Sequence, residues 1–90
     1  MVTINVLNID GSLSVVQAER VDLVPEYSAW AWQKRSDEWK VIDPASGGVL
    51  ATRETRADAV EAATELVKRH GLDKVLAKSV EYVNKYGRAE

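Results

Sequence analysis

One histidine, no cysteine and fourteen acidic residues are what this chain offers a reaction centre. Without cysteine there is no thiolate nucleophile, no disulfide framework and no cysteine-based zinc site. His70 falls on the apolar stripe at the end of a predicted helix, where the helix dipole stabilises an imidazolium, and this predicts a structural or capping role. No His-x-x-x-His, Asp-x-Asp-x-Asp-Gly or Gly-x-Ser-x-Gly pattern occurs. Gly47-Gly48 lacks the lysine and hydroxyl of a phosphate-binding loop and reads as a turn. Most carboxylates have structural places: Asp10, Asp43 and Asp73 in turns or caps, Glu61 and Glu65 on a solvated helix face. An enzyme needs such groups to converge in a cleft. The expectation is therefore a non-enzyme with no catalytic residues, no metal and no cofactor.

A second constellation suits contact rather than reaction. Trp30, Trp32 and Trp39 stand near Lys34, Arg35, Lys40, Arg53 and Arg56. Aromatic rings interleaved with cations on a sheet can stack on bases or receive a partner's arginine-rich or apolar surface. The competing reading is structural: a chain without phenylalanine needs its tryptophans to fill volume, leaving the cations as a solvated rim.

The elements that must position these side chains follow from periodicity. Asp10-Gly11 is a favoured pair for a two-residue hairpin turn. With Ile9 opposite Ser12, a hairpin over residues 2–18 places Val2, Ile4, Val6, Leu13 and Val15 on one face and Thr3, Asn5, Ser12 and Ser14 on the other. Alternation runs on through Val21 and Leu23 to a break at Pro25-Glu26. A third strand from Tyr27 to Gln33 puts Trp30 and Trp32 on one face and Tyr27, Ala29 and Ala31 on the other. If Lys34–Asp37 closes a four-residue loop, Trp32 lies opposite Trp39 and Trp30 opposite Val41, so that all three tryptophans share a face. Strands Trp39–Asp43 and Val49–Arg53 flank a turn in which Asp43 bonds the backbone ahead, Pro44 fixes φ and glycine takes φ > 0.

Helical periodicity then takes over. Thr55 is the expected N-cap, with Asp58 in the first turn. Ala59, Val60, Ala63, Leu66, Val67 and His70 form the apolar stripe, Glu65 and Arg69 pair at i, i+4, and Gly71 ends the helix. A second helix, capped by Asp73, carries a broad stripe through Leu72, Val75, Leu76, Val80, Tyr82, Val83 and Tyr86. That stripe is wide enough to leave part for another chain, with Tyr82 and Tyr86 as oligomer contacts. Gly87 stops it, and Arg88-Ala89-Glu90 should fray.

Bulk properties bound the rest. Ninety residues at 46% hydrophobic and 29% charged describe one ordinary globular domain, residues 1–90. A net charge of -2 removes the simplest electrostatic argument for nucleic-acid binding. Met1–Asn5 lacks a basic segment leading into an apolar run, and no stretch approaches a membrane span. The expected location is cytoplasmic, with no membrane association.

Trp39–Pro44, Gly48–Thr52 and Thr55–Ala63 together give a three-strands-then-helix pattern over about residues 28–70. It resembles small uncharacterised bacterial and phage proteins and, more distantly, ethylene-response-type and integrase N-terminal DNA-binding domains. In the DNA-binding families the sheet enters the major groove through arginine and tryptophan, and the resemblance implies sheet-face contacts at Trp30, Lys34, Trp39, Lys40 and Arg53. This chain departs from the pattern in its acidic N-terminal hairpin, its second helix and its missing basic excess.

The fold expected is α+β: an antiparallel meander of about five strands followed by two C-terminal helices packed on one face. The function expected is a small non-catalytic interaction module of bacterial or phage type acting through protein–protein contacts, with a homodimer as one form. The alternative is a nucleic-acid-binding domain using Trp30, Trp32, Lys34, Arg35, Trp39, Lys40, Arg53 and Arg56.

Overall fold

The computed structural model describes residues 1–89. Strands β1 (Val2–Leu7), β2 (Leu13–Val24), β3 (Tyr27–Arg35), β4 (Glu38–Ile42) and β5 (Val49–Arg53) pair antiparallel in sequence order. Helices α1 (Arg56–His70) and α2 (Leu72–Tyr86) follow. This is the α+β meander with two trailing helices that the periodicity predicts.

Two registers differ from expectation by one residue, and each changes a face. The first hairpin pairs Leu7 with Leu13 and Ile4 with Val16. Its loop is Ile9-Asp10-Gly11, closed by Asn8 N donating to Ser12 O at 2.8 Å and Gly11 N to Asn8 O at 3.0 Å, with Gly11 at φ +87°. Three-residue loops of this kind place their last residue in the left-handed region, which glycine tolerates. The extra residue inverts β2 relative to β1: Val16 and Ala18 join Ile4 and Val6 inside, while Leu13 and Val15 turn outward.

The second shift separates the tryptophans. Arg35 pairs with Glu38 across Ser36-Asp37, and Lys34 is bulged, so Gln33 rather than Trp32 lies opposite Trp39. Trp30 and Trp32 face Ile4, Val6 and Ile42, whereas Trp39 packs on the opposite side with Val41 and Ala51. The expected single tryptophan face does not form, because a bulge consumes one residue and period-2 alternation reverses beyond it.

α1 lies on the face formed by Val21, Ala29, Ala31, Val41 and Ala51, against which it buries Ala59, Ala63 and Val67. Alanine opposite alanine lets the helix backbone come close to the sheet, so even small side chains make dense dispersion contact. Thr55 caps the helix by accepting from Asp58 N at 3.2 Å, and Gly71 closes it with its N–H on Val67 O at 2.8 Å. His70 is exposed rather than seated on the buried stripe, and Glu65 and Arg69 form no ion pair among the described residues.

α2 begins at Leu72 directly after Gly71 and has no side-chain cap; Asp73 lies in its first turn and does not cap it. The sheet coils so far that β1 returns to the turn after β4, where Leu7 N donates to Gly47 O at 2.8 Å. Gly47 (φ +73°) has no room for a Cβ, which would stand 2.9 Å from Asn5 O. The C-terminal tail joins this seam. Ala89 is buried, its N–H donates to Ala45 O at 2.8 Å, and its carbonyl accepts from Asn5 Nδ2, so Ala89 does not fray. The expectation of fraying at Glu90 lies outside the described residues.

Candidate functional site

The most concentrated polar group in the molecule is buried. Asp43, immediately after β4, is only 4% exposed. Its Oδ1 accepts from the Tyr27 hydroxyl of β3. Its Oδ2 accepts from Ser46 N at 3.0 Å, Ser46 Oγ at 2.6 Å and, from α2, Ser79 Oγ at 2.6 Å. Ser46 Oγ in turn accepts from Gly48 N at 3.1 Å. The turn positions Asp43 as its sequence predicts, because Asp followed by Pro favours a side-chain bond to the backbone ahead. Tyr27 arrives because it alternates with Ala29 and Ala31, and Ser79 because it sits one helical turn after Val75.

Four donors fill the roughly four acceptor positions of a carboxylate. Charge-assisted hydrogen bonds of this type offset the cost of burying the group. Among the described residues, no buried side-chain nitrogen or oxygen lacks a partner. Burial, then the hydrogen bond to Asp43 and the charge there, hold the Tyr27 phenol well above its ordinary range. The arrangement is a junction that ties β3, the β4–β5 turn and α2 together, and each of its hydroxyls is already committed.

Beside this junction is a recess of about 390 Å³ between β5, the end of α1 and α2. Val49, Leu50, Leu66, Val75 and Tyr82 make its walls, and His70, Lys74 and Lys78 stand at its rim. Among the described residues no group of three or more His, Cys, Asp or Glu side chains is placed to hold a metal. Among the described residues no helix is long and apolar enough to cross a membrane.

The residues singled out from sequence do not gather into one surface. Trp30 and Trp32 are half-buried on the side away from α1, and Lys34 and Arg35 are exposed at the end of β3. Lys40 is held by Glu38 at 3.3 Å and Thr52 at 3.1 Å, Arg35 lies 3.8 Å from Glu38, and Arg56 pairs with Glu19. Arg53 is exposed and donates to Thr52 O at 2.7 Å. Three of the five cations are thus matched by an acid of the same chain.

Tyr82 and Tyr86 engage their own fold. Tyr82 lies against Gly48, and the Tyr86 ring covers Gly11, where an added Cβ would meet it at 2.9 Å. Apolar surface of α2 left uncovered includes Leu76 at 44%, Val80 at 57% and, at its end, Tyr86 at 36% exposure. On the first hairpin, Leu13 and Val15 are exposed at 41% and 69%. Sequence reasoning expected part of the α2 stripe to be left over but named Tyr82 and Tyr86 rather than Leu76 and Val80, and it missed the long-range part of the Asp43 junction. The available signals were a serine inside an apolar stripe and an aspartate directly after Val41-Ile42.

Comparison with protein-family models, with curated proteins and with solved structures finds no match for this chain.

Proposed function

We propose that this protein is a small non-catalytic interaction module that works through protein–protein contacts, receiving its partner on the uncovered flank of α2. The supporting observation is the exposure of Leu76 and Val80, one helical turn apart on α2. Ala77 is exposed beside them, while Ser79 turns inward to Asp43. Exposed aliphatic side chains brought together in this way mark contact sites. The filled Asp43 junction fits the same reading, since its hydrogen bonds serve to hold the helix that presents the surface.

The test is chemical crosslinking in the native host from a photoreactive residue at position 80, with and without nuclease. The expected result is one protein adduct, insensitive to nuclease and lost when Leu76→Glu is added, with circular dichroism matching the parent. Absence of an adduct, or its loss on nuclease treatment, counts against the reading.

One observation favours a second reading, nucleic-acid binding. Trp30 and Trp32 are half-exposed on the side of the sheet away from α1, with Lys34 and Arg35 uncovered at the strand end. Stacking on them predicts tryptophan quenching by single-stranded oligonucleotides, weakening with salt and with Lys34→Ala.

A further inference from the structure

The recess beside the Asp43 junction is divided by polarity. Its outer walls are Val49 of β5, which is 46% exposed, and the half-buried Leu50, Leu66 and Tyr82. Buried Val75 and the junction itself close its inner end. No hydrogen-bond donor is left to offer there. The hydroxyls of Ser46 and Ser79 both donate to Asp43, Gly48 N donates to Ser46 Oγ, and the carboxylate already has its four donors. An occupant therefore gains by placing hydrocarbon inside, where it displaces water from apolar walls.

The charges at the mouth are cationic. His70 ends α1, and Lys74 and Lys78 stand one turn apart on α2, a spacing at which like charges repel. Among the described residues, the buried and fully bonded Asp43 is the only acid that lines the recess. His70 and Lys74 form no ion pair among the described residues. Lys78 lies 3.7 Å from Glu81 and 5.5 Å from the centre of the Tyr82 ring, so its charge is shared. Lys74 is then the ammonium with no acid of its own, which suits a single negative charge better than a doubly charged phosphate.

We infer that this recess binds a free amphipathic monocarboxylate, its hydrocarbon body against Val49, Leu50 and Leu66 and its carboxylate among His70, Lys74 and Lys78. A lysine head is a mobile point charge whose methylene stem lies along apolar surface, so both lysines can reach over the body and meet the carboxylate with charge-assisted hydrogen bonds. The volume of about 390 Å³ falls within the roughly 300 to 1,000 Å³ of small-ligand pockets. An anionic bilayer offers similar chemistry but is disfavoured. Glu65 lines the adjoining groove that shares Leu66, Glu81 stands beside Lys78, and the chain carries a net charge of -2, all of which repel a negative lipid surface. Leu76 and Val80 do not line the recess, so this site is separate from the protein contact proposed above.

Titration of ¹⁵N-labelled protein with sodium octanoate below its micelle concentration tests it. Saturable amide shifts are expected at Val49, Leu50, Leu66 and Val75. Acetate, which lacks the body, and 1-octanol, which lacks the charge, should each bind at least about tenfold more weakly. Lys74→Gln/Lys78→Gln, both at exposed positions, should weaken octanoate by about tenfold and leave 1-octanol unchanged. Lys68→Gln removes an exposed cation outside the recess and should leave octanoate binding at its parent value. Vesicles containing phosphatidylglycerol should not sediment the protein. Absence of saturable shifts at these amides, acetate or 1-octanol binding as tightly as octanoate, equal weakening by Lys68→Gln, or sedimentation with the vesicles overturns the inference.

Discussion

The two helices are of equal length, fifteen residues each, and are held to the protein by different physics. α1 is seated by shape: Ala59, Ala63 and Val67 meet Ala29, Ala31 and Ala51 without a polar contact at the centre. α2 shows the more marked apolar stripe in sequence, yet only Val75 and Ser79 are fully buried, and one of its anchors is the hydrogen bond from Ser79 to Asp43. The contrast teaches that the breadth of an apolar stripe does not measure how much of it the fold covers. A helix of small residues can be wholly used, and a helix of large ones can be pinned at a few points and left with surface to spare.

Breaking the pin should have the largest effect. Asp43→Ala strands the hydroxyls of Tyr27, Ser46 and Ser79, and is expected to cost about 3 kcal/mol or more. A urea-unfolding midpoint lowered at unchanged slope is the check. Overfilling the seat comes next: Ala63→Leu forces extra methylenes between α1 and the sheet, at about 1 to 3 kcal/mol, and should speed amide exchange in α1 before α2.

The junction also gives a pH dependence. Tyr27 ionises in the unfolded chain near pH 10 but only well above that when folded, so the folded state keeps a proton that the unfolded state loses. Its contribution is complete below that pH and is lost as pH rises above it, by up to about 1.4 kcal/mol per pH unit. Tyr27→Phe should flatten the alkaline limb of stability measured by denaturant unfolding.

Smaller changes sharpen the distinction. Ser79→Ala leaves Asp43 with three donors, and is expected to cost about 1 kcal/mol; amide exchange should quicken across α2 with α1 unchanged. Val80→Ser, on the uncovered flank, should shift the thermal midpoint by no more than about 0.5 kcal/mol allows.

Much of the architecture was legible in local chemistry. Thr55 and Gly71 bracket α1 because each satisfies backbone groups through its own side chain or φ, and neither needs a distant partner. Pro25-Glu26 and the Asp43–Gly48 turn are legible for the same reason. The registers at Gly11 and Lys34 were not, because a two-residue loop and a longer or bulged one are close alternatives in sequence, yet they send every later side chain to opposite faces. The first shift moved Leu13 and Val15 out of the core, and the second parted Trp39 from Trp30 and Trp32. The candidate site was half legible: Asp43 with Ser46 follows from the turn, while Tyr27 and Ser79 are 16 and 36 residues away in sequence.

By itself, then, the sequence determined the element order, the caps of α1, the position of the turns and the lack of cysteine chemistry, since these rest on interactions spanning a few residues. Only the tertiary structure decided which sheet face each tryptophan joins, that Asp43 gathers donors from three elements, and that the apolar flank of α2 stays open. Those outcomes depend on bulges, on the coiling of the sheet and on how much area one face has to offer. Such quantities arise when distant segments are packed together and have no counterpart in local spacing.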